Sequence, residues 1–253
     1  MDDIKGRIHV VTGGYGGIGT ATARYLAELG GVVVVTGRNE DKGREAASAI
    51  ARDTSGSVHF VPMDVLSPAS VAHAVKVIEA DIGPVFGLVA NAGKHWLGET
   101  KSMSDNEWSD IMSTNVDGTF NTVQKFGASM RGRGGSIVLI SSIASRTSGY
   151  PVPFASYGAS KAAITHLARM LGVEWAAEGV RVNALEPGYT ATNALATLEQ
   201  DAPSMYEALM TRVPIRRLIR PEEVAHMIAF LLSDLSSAMT GSVLIADGGS
   251  SSL

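Results

Sequence analysis

The sequence predicts one α/β domain, a doubly wound sheet of about seven mostly parallel strands with helices on both faces. Three observations carry that expectation. Short apolar runs alternate with longer amphipathic stretches from one end of the chain to the other, the pattern of strands buried on both faces and joined by crossover helices. A glycine-rich turn joins the first such run to the first helical stretch. The 253 residues, 45% of them hydrophobic, with a mean hydropathy of +0.14, suffice for one sizeable core. No repeat, low-complexity segment or linker divides residues 1–253.

Composition excludes several classes of function. Charged residues make up 18% of the chain, the net charge is -4 and the pI is about 5.9, so nothing suggests a surface built for nucleic acid. The absence of cysteine rules out a disulfide scaffold, a thiol nucleophile and thiolate metal sites. No charged segment followed by an apolar run opens the chain, and no apolar stretch reaches the ~18 residues of a membrane span. The expectation is a soluble, cytoplasmic protein.

The first predicted strand, Ile8 to Thr12, runs into G-G-Y-G-G-I-G from Gly13 to Gly19, then into an amphipathic helix reaching Leu29. Strand, glycine-rich turn and helix in that order form a site for a dinucleotide pyrophosphate. The glycines admit the phosphates to the backbone, and the helix N-terminus faces their charge. Val32 to Thr36 is the second strand, with Thr36-Gly37-Arg38 at its tip. An acidic residue there would accept from a ribose 2'-hydroxyl. An arginine with no carboxylate suits a 2'-phosphate, so NADP(H) is preferred, with NAD(H) possible, unless Arg38 is only a solvated residue opening the next helix. Val58 to Met63 is the third strand and ends at Asp64, with Ser67 and Pro68 as N-cap and first residue of another helix. Asp64 either accepts from an adenine amine or forms its own turn. The fourth strand, Val85 to Ala90, leads into Asn91-Ala92-Gly93, small residues placed for close approach to a cofactor, though Asn91 also suits a turn.

Asp105 to Met130 reads as one long helix with Asn115, a poor interior helix former, in its middle. Ile137 to Ile140 is a buried strand ending in hydroxyls at Ser141 and Ser142. The helix predicted over Ser156 to Glu178 places Tyr157 and Lys161 four residues apart on one face. A fixed ammonium beside a phenol favours the phenolate, and a lowering of three units corresponds to about 4 kcal/mol. Val180 to Leu185 is the next strand, closed by Pro187-Gly188, and a helix starting at Pro221 reaches Ser233 before the last strand, Ser242 to Ala246. Residues 189–220, weakly patterned from Ala191 to Arg220, read as a substrate lid.

Taken in chain order, T-G-x-x-x-G-I-G (Thr12 to Gly19), Asp64-Val65, N-A-G (Asn91 to Gly93), Asn115, Ser142 and Y-x-x-x-K (Tyr157 to Lys161) resemble the short-chain dehydrogenase/reductase family over essentially the whole chain. The resemblance implies a Rossmann-type domain and a ketone–alcohol oxidoreductase. Tyr157 would be the general acid or base, Ser142 the contact for the substrate oxygen, and Lys161 the residue that binds the nicotinamide ribose and lowers the Tyr157 pKa. Asn115 would support a water that relays protons to Lys161. Cofactor contacts are implied for Gly13, Tyr15, Gly17, Ile18, Gly19, Arg38, Asp64, Val65, Asn91, Ala92, Gly93, Pro187, Gly188, Thr190 and Thr192. The spacing from Ser142 to Tyr157 exceeds the commonest family pattern by about two residues, which leaves Ser145 as the alternative oxygen contact. No metal is required by this chemistry. The family also implies a homotetramer or homodimer.

The expected pocket wall of Trp96, Leu97, Tyr150, Val152, Pro153, Phe154, Tyr189 and Leu195 is apolar and aromatic, which favours a hydrophobic ketone or its alcohol. A reductase of 3-oxoacyl chains on an acyl carrier protein is the second reading. Glu178 stands before Gly179, where such enzymes carry a base for the acidic carrier, and Arg133 is the remaining basic contact. A non-catalytic NADP(H)-binding sensor is the alternative from another class.

Overall fold

The computed structural model describes residues 1–54, 56–148, 153–192, 195 and 197–253. Its seven strands are β1 (Ile8–Thr12), β2 (Val32–Gly37), β3 (Ser57–Pro62), β4 (Val85–Ala90), β5 (Gly135–Ile140), β6 (Val180–Pro187) and β7 (Val243–Ala246). They form one sheet in the order β3-β2-β1-β4-β5-β6-β7, every pair of neighbours parallel. The expected "mostly parallel" sheet is thus wholly parallel. Strands β1, β4 and β5 are almost wholly buried and mostly apolar because both faces are covered.

Helices α1 (Gly17–Glu28), α2 (Glu40–Asp53), α3 (Pro68–Asp81), α4 (Asp105–Met112), α5 (Gly118–Met130), α6 (Ala155–Glu174), α7 (Leu198–Asp201), α8 (Pro203–Met210) and α9 (Pro221–Leu232) complete the domain. One apolar core joins the sheet to α3, α5 and α6 through Val71, Ile78, Phe126, Met130 and Ile164. The other joins it to α1, α2 and α9 through Leu26, Ile50, Ile228 and Leu232. A third, smaller cluster of Leu209, Met210 and Val213 underlies the segment that crosses the strand ends.

Two predicted helices are revised. Residues 105–130 contain α4 and α5 with a π-helical turn, Ser113–Asp117, between them, and Asn115 lies in that turn. Its side chain bonds away from its own helix, which explains the wider local winding. The helix carrying Tyr157 stops at Glu174, a 3-10 turn covers Ala176–Glu178, and Gly179 at φ +81° ends it in the left-handed conformation. Ser67 caps α3 as expected, accepting from the Ser70 amide at 3.2 Å, with Pro68 in the first turn.

Candidate active site

The chain leaves β3 on one side of the sheet and re-enters at β4 on the other, so the carboxyl ends of β1 and β4 flank the point where the strand order reverses. Hydrogen bonds stitch that point shut. The Thr12 hydroxyl accepts from the Asn91 and Ala92 amides at 3.0 and 2.9 Å, and the Asn91 side-chain amide donates to the Thr12 and Gly13 carbonyls. The turn above it is built to lie close. A β-carbon on Gly19 would sit 2.4 Å from the Gly13 carbonyl oxygen, and Gly13 itself has φ +63°. Gly16 caps α1 without a side-chain bond; the Gly19 amide donates to the Gly16 carbonyl at 3.0 Å, which leaves the Gly17 and Ile18 amides to an incoming ligand.

Beside this turn a cavity of about 210 Å³ is lined by Gly13, Tyr15, Thr36, Arg38, Asp64 and Val65, with Thr114 of the π turn. The Tyr15 ring lies against Gly37, where a β-carbon would come within 2.2 Å of it. Arg38 is exposed and has no side-chain hydrogen bond or ion pair to the described residues. It does not open a helix, since Asn39 caps α2 by accepting from the Lys42 amide. Asp64 forms a turn by accepting from the Leu66 amide at 3.0 Å, while also lining the cavity. The Thr36 and Thr114 hydroxyls, both buried, have no hydrogen-bond partner among the described residues. A glycine cradle, two orphaned hydroxyls and an unpartnered guanidinium fit an adenine dinucleotide.

On the other side of β4, β5 ends at Ile140 and a 3-10 turn, Ile143–Ser145, follows with Ser142 as its N-cap. The Ser142 hydroxyl accepts from the Ala144 amide at 3.2 Å and lines the same cavity as the Tyr157 phenol. Burial pushes the Tyr157 phenol above the usual tyrosine value, and the nearby Ser142 hydroxyl opposes that shift. Lys161 enters neither side of this balance. Its ammonium, 5.6 Å from the Tyr157 ring centroid, donates to the Ile140 carbonyl at 2.7 Å, and burial lowers its own pKa to about 8. The expected lowering of Tyr157 by Lys161 is therefore corrected: Lys161 makes no contribution to this balance, and burial sets its direction. Ser145 points elsewhere, its hydroxyl donating to Glu186 at 2.6 Å.

Asn115, 1% exposed, is bound on both sides to the backbone of Lys94. Its Oδ1 accepts from the Lys94 amide at 2.7 Å, and its Nδ2 donates to the Lys94 carbonyl and to Ser160 Oγ, each at 2.9 Å. This bracket holds the N-A-G loop against α6. From the far side, Pro187, Gly188, Thr190 and Thr192 follow β6 across the strand ends. Thr192 packs onto the glycine turn, within 2.9 Å of where a Gly17 β-carbon would be. Thr190 pairs with Ile219 in an isolated bridge.

Ser142, Tyr157 and Lys161 open into a cavity of about 420 Å³ that Ile18, Asn91, Gly93, Pro187, Gly188, Thr190 and Thr192 also line. Of the expected apolar wall, Leu97, Phe154, Tyr189 and Leu195 are present, and Leu198, Met205 and Leu209 add to it. Two expected members are elsewhere. Trp96 donates its indole to Glu107 and lines a neighbouring cavity of about 300 Å³, and the Pro153 carbonyl accepts from the Gly98 amide outside the wall. Tyr150 and Val152 lie outside the described residues. Sequence reasoning missed Leu198, Met205 and Leu209, whose spacing carries no clean period. It also missed Thr114 and Glu186, although an acid inside an otherwise buried strand is a readable signal.

Residues 13–251 match the family model described as enoyl-(acyl carrier protein) reductase. The chain is 38% identical over 248 residues to cis-4-hydroxycyclohexanecarboxylate dehydrogenase of Sinomonas cyclohexanicum, covering 96% of each. The chain belongs to the short-chain dehydrogenase/reductase family. A 3-oxoacyl-[acyl-carrier-protein] reductase of Aquifex aeolicus is 33% identical over 247 residues, 97% of this chain and 98% of that one. The actinorhodin polyketide ketoreductase, solved with NADPH, superposes with a TM-score of 0.90 at 30% identity, over 100% of this chain and 99% of that chain. This short-chain dehydrogenase/reductase is accordingly an oxidoreductase acting on CH–OH or carbonyl groups. No helix among the described residues is long and apolar enough to cross a membrane.

Proposed function

We propose that this chain interconverts an apolar ketone and its secondary alcohol using NADP(H). The observation that carries the reading is the convergence of the Ser142 hydroxyl, the Tyr157 phenol and the Lys161 ammonium on one largely apolar cavity beside the glycine cradle. The nicotinamide, when bound, supplies or accepts the hydride. Tyr157, kept protonated by burial, gives its proton to the carbonyl oxygen in reduction and takes it back in oxidation. Ser142 holds that oxygen beside the phenol, and Ser145 is occupied by Glu186. Lys161 faces the nicotinamide ribose, and Asn115 keeps Gly93 and Lys94 in place below it.

Gly13, Tyr15, Gly17, Ile18 and Gly19 cradle the pyrophosphate and adenosine, with Asp64 and Val65 beside the adenine. Asn91, Ala92, Gly93, Pro187, Gly188, Thr190 and Thr192 enclose the nicotinamide end. Arg38 takes the 2'-phosphate, and its lack of a partner among the described residues supports NADP(H) over NAD(H). Residues 189–220 act as the lid, with Leu198, Met205 and Leu209 turned to the substrate. A cytoplasmic homotetramer or homodimer completes the reading, the exposed Phe120, Met170 and Val173 offering apolar surface for a second copy.

A 3-oxoacyl chain on a carrier protein is the second reading, favoured by the kinship with the Aquifex enzyme. Against it, Arg131 and Arg133 are paired with Glu178 and Glu79 and offer less to an acidic carrier. Nicotinamide absorbance with NADPH and with NADH, against aromatic ketones, steroids, sugars and 3-oxoacyl thioesters, separates these. Turnover with NADPH on the apolar ketones is expected. Exclusive turnover of the thioesters would establish the second reading, and tight NADPH binding with no turnover in either direction would leave a sensor.

A further inference from the structure

Glu186 is a carboxylate with no solvent exposure on a strand whose residues from Val182 to Pro187 are all buried. A carboxylate in such a place costs several kcal/mol unless it is fully bonded. Its bonds are specific. Oε1 accepts from Ser145 Oγ at 2.6 Å and from Thr165 Oγ1 at 2.7 Å, and Oε2 accepts from Arg146 Nε at 2.6 Å. Ser145 and Arg146 belong to the turn that begins at Ser142, and Thr165 lies on α6 one helical turn beyond Lys161. Thr165 Oγ1 is 2.7 Å from Ser141 Oγ, which donates to the Lys161 carbonyl at 2.8 Å. One buried group thus ties the element bearing Ser142 to the helix bearing Tyr157 and Lys161, at the strand end that continues into Pro187-Gly188.

We propose that Glu186 is a positioning residue: through Ser145, Arg146 and Thr165 it sets the separation between the Ser142 hydroxyl and the Tyr157 phenol. It touches no substrate and reacts with nothing. Its effect passes through the placement of the Ser142 hydroxyl relative to the Tyr157 phenol on one cavity, which has to hold a carbonyl oxygen in register with the proton it receives. Small misplacements of such groups have large kinetic cost, because the reacting atoms must meet in one geometry. The kinetic part rests on the proposed reductase chemistry, whereas the positioning itself is a property of the protein alone.

The test starts with tyrosine labelled at Cζ with carbon-13, read by NMR at pH 7 without substrate, the Tyr157 resonance assigned by its loss in Tyr157→Phe. Glu186→Gln is expected to move that resonance toward the position it takes in Ser142→Ala. Should Glu186→Gln fail to fold, Ser145→Ala, which removes one of the two bonds between the carboxylate and the turn and leaves those to Arg146 and Thr165, is expected to move it the same way, by a smaller amount. On a carbonyl that the wild type reduces, Glu186→Gln lowers kcat about tenfold with NADPH affinity unchanged, and adds nothing in a Ser142→Ala background. A Tyr157 resonance that stays at the wild-type position in the folded variant overturns the proposal, as does a full further loss of kcat in the Ser142→Ala background. A wild type that reduces no carbonyl defeats the functional reading, and the resonance shift still decides the positioning.

Discussion

The two halves of the cleft are made of different material. The half at the carboxyl ends of β1 and β2 is a backbone site, in which glycines clear space, a helix start presents amides, and side chains are few and partly unpartnered. The half at the ends of β5 and β6 is a side-chain site. Ser142, Tyr157, Lys161, Asn115, Thr165 and Glu186 come from four separate segments, and most of them are bonded to one another or to neighbouring carbonyls. The difference matches the task proposed for each half. A pyrophosphate is recognised through shape and backbone donors, which tolerate variation in side chains. Proton transfer needs named atoms at hydrogen-bond distance, and those atoms stay put only when each is held by another.

That contrast breaks most visibly at Tyr157. Tyr157→Phe removes the proton donor and leaves the ring, so kcat should fall about 10³-fold, roughly 4 kcal/mol, while NADPH dissociation measured by fluorescence changes little. A variant that keeps wild-type turnover would show that the side-chain half is not where the proton comes from. On the backbone half, Arg38→Asp removes the cation proposed to face the 2'-phosphate. NADPH affinity should weaken about thirtyfold, near 2 kcal/mol, with NADH almost unaffected. Equal losses for both would place the distinction between cofactors elsewhere.

The smallest expected effect concerns the cost of burying Lys161. Its pKa is about 8 in the folded protein against the ordinary 10.5, so the unfolded chain binds more protons across that interval. Stability attributable to this group is therefore low below pH 8 and rises as pH is raised toward 10.5, with a slope of at most about 1.4 kcal/mol per pH unit. Urea unfolding at pH 8.0, 8.5 and 9.0 should show that slope as the difference between wild type and Lys161→Met. Parallel pH profiles for the two proteins would mean that Lys161 keeps its solution pKa.

The same contrast governs what was legible in advance. Alternation of apolar runs with amphipathic stretches marks all seven strands within a residue or two, because a central strand covered on both faces is mostly apolar. The glycine turn is equally plain, since only glycine admits the close approach at Gly19. Tyr157 and Lys161 share a helical face by spacing alone. Asn115 stood out as a misfit in a helix, yet its fit, a π turn bonded to Lys94, depends on a loop twenty-one residues away in sequence. The apolar wall was read in part: Trp96 turned to Glu107 instead, and Leu198, Met205 and Leu209 arrived from a segment with no readable period.

By itself, then, the amino-acid order determined the fold class, the strand boundaries, the dinucleotide cradle and the residue types of the reaction, all of which rest on local spacing and on the burial that periodicity reports. Tertiary structure alone decided which hydroxyl faces the phenol. Ser142 and Ser145 are equivalent as letters three residues apart, and what separates them is Glu186, forty-one residues from Ser145, whose buried charge claims one of them and leaves the other to Tyr157.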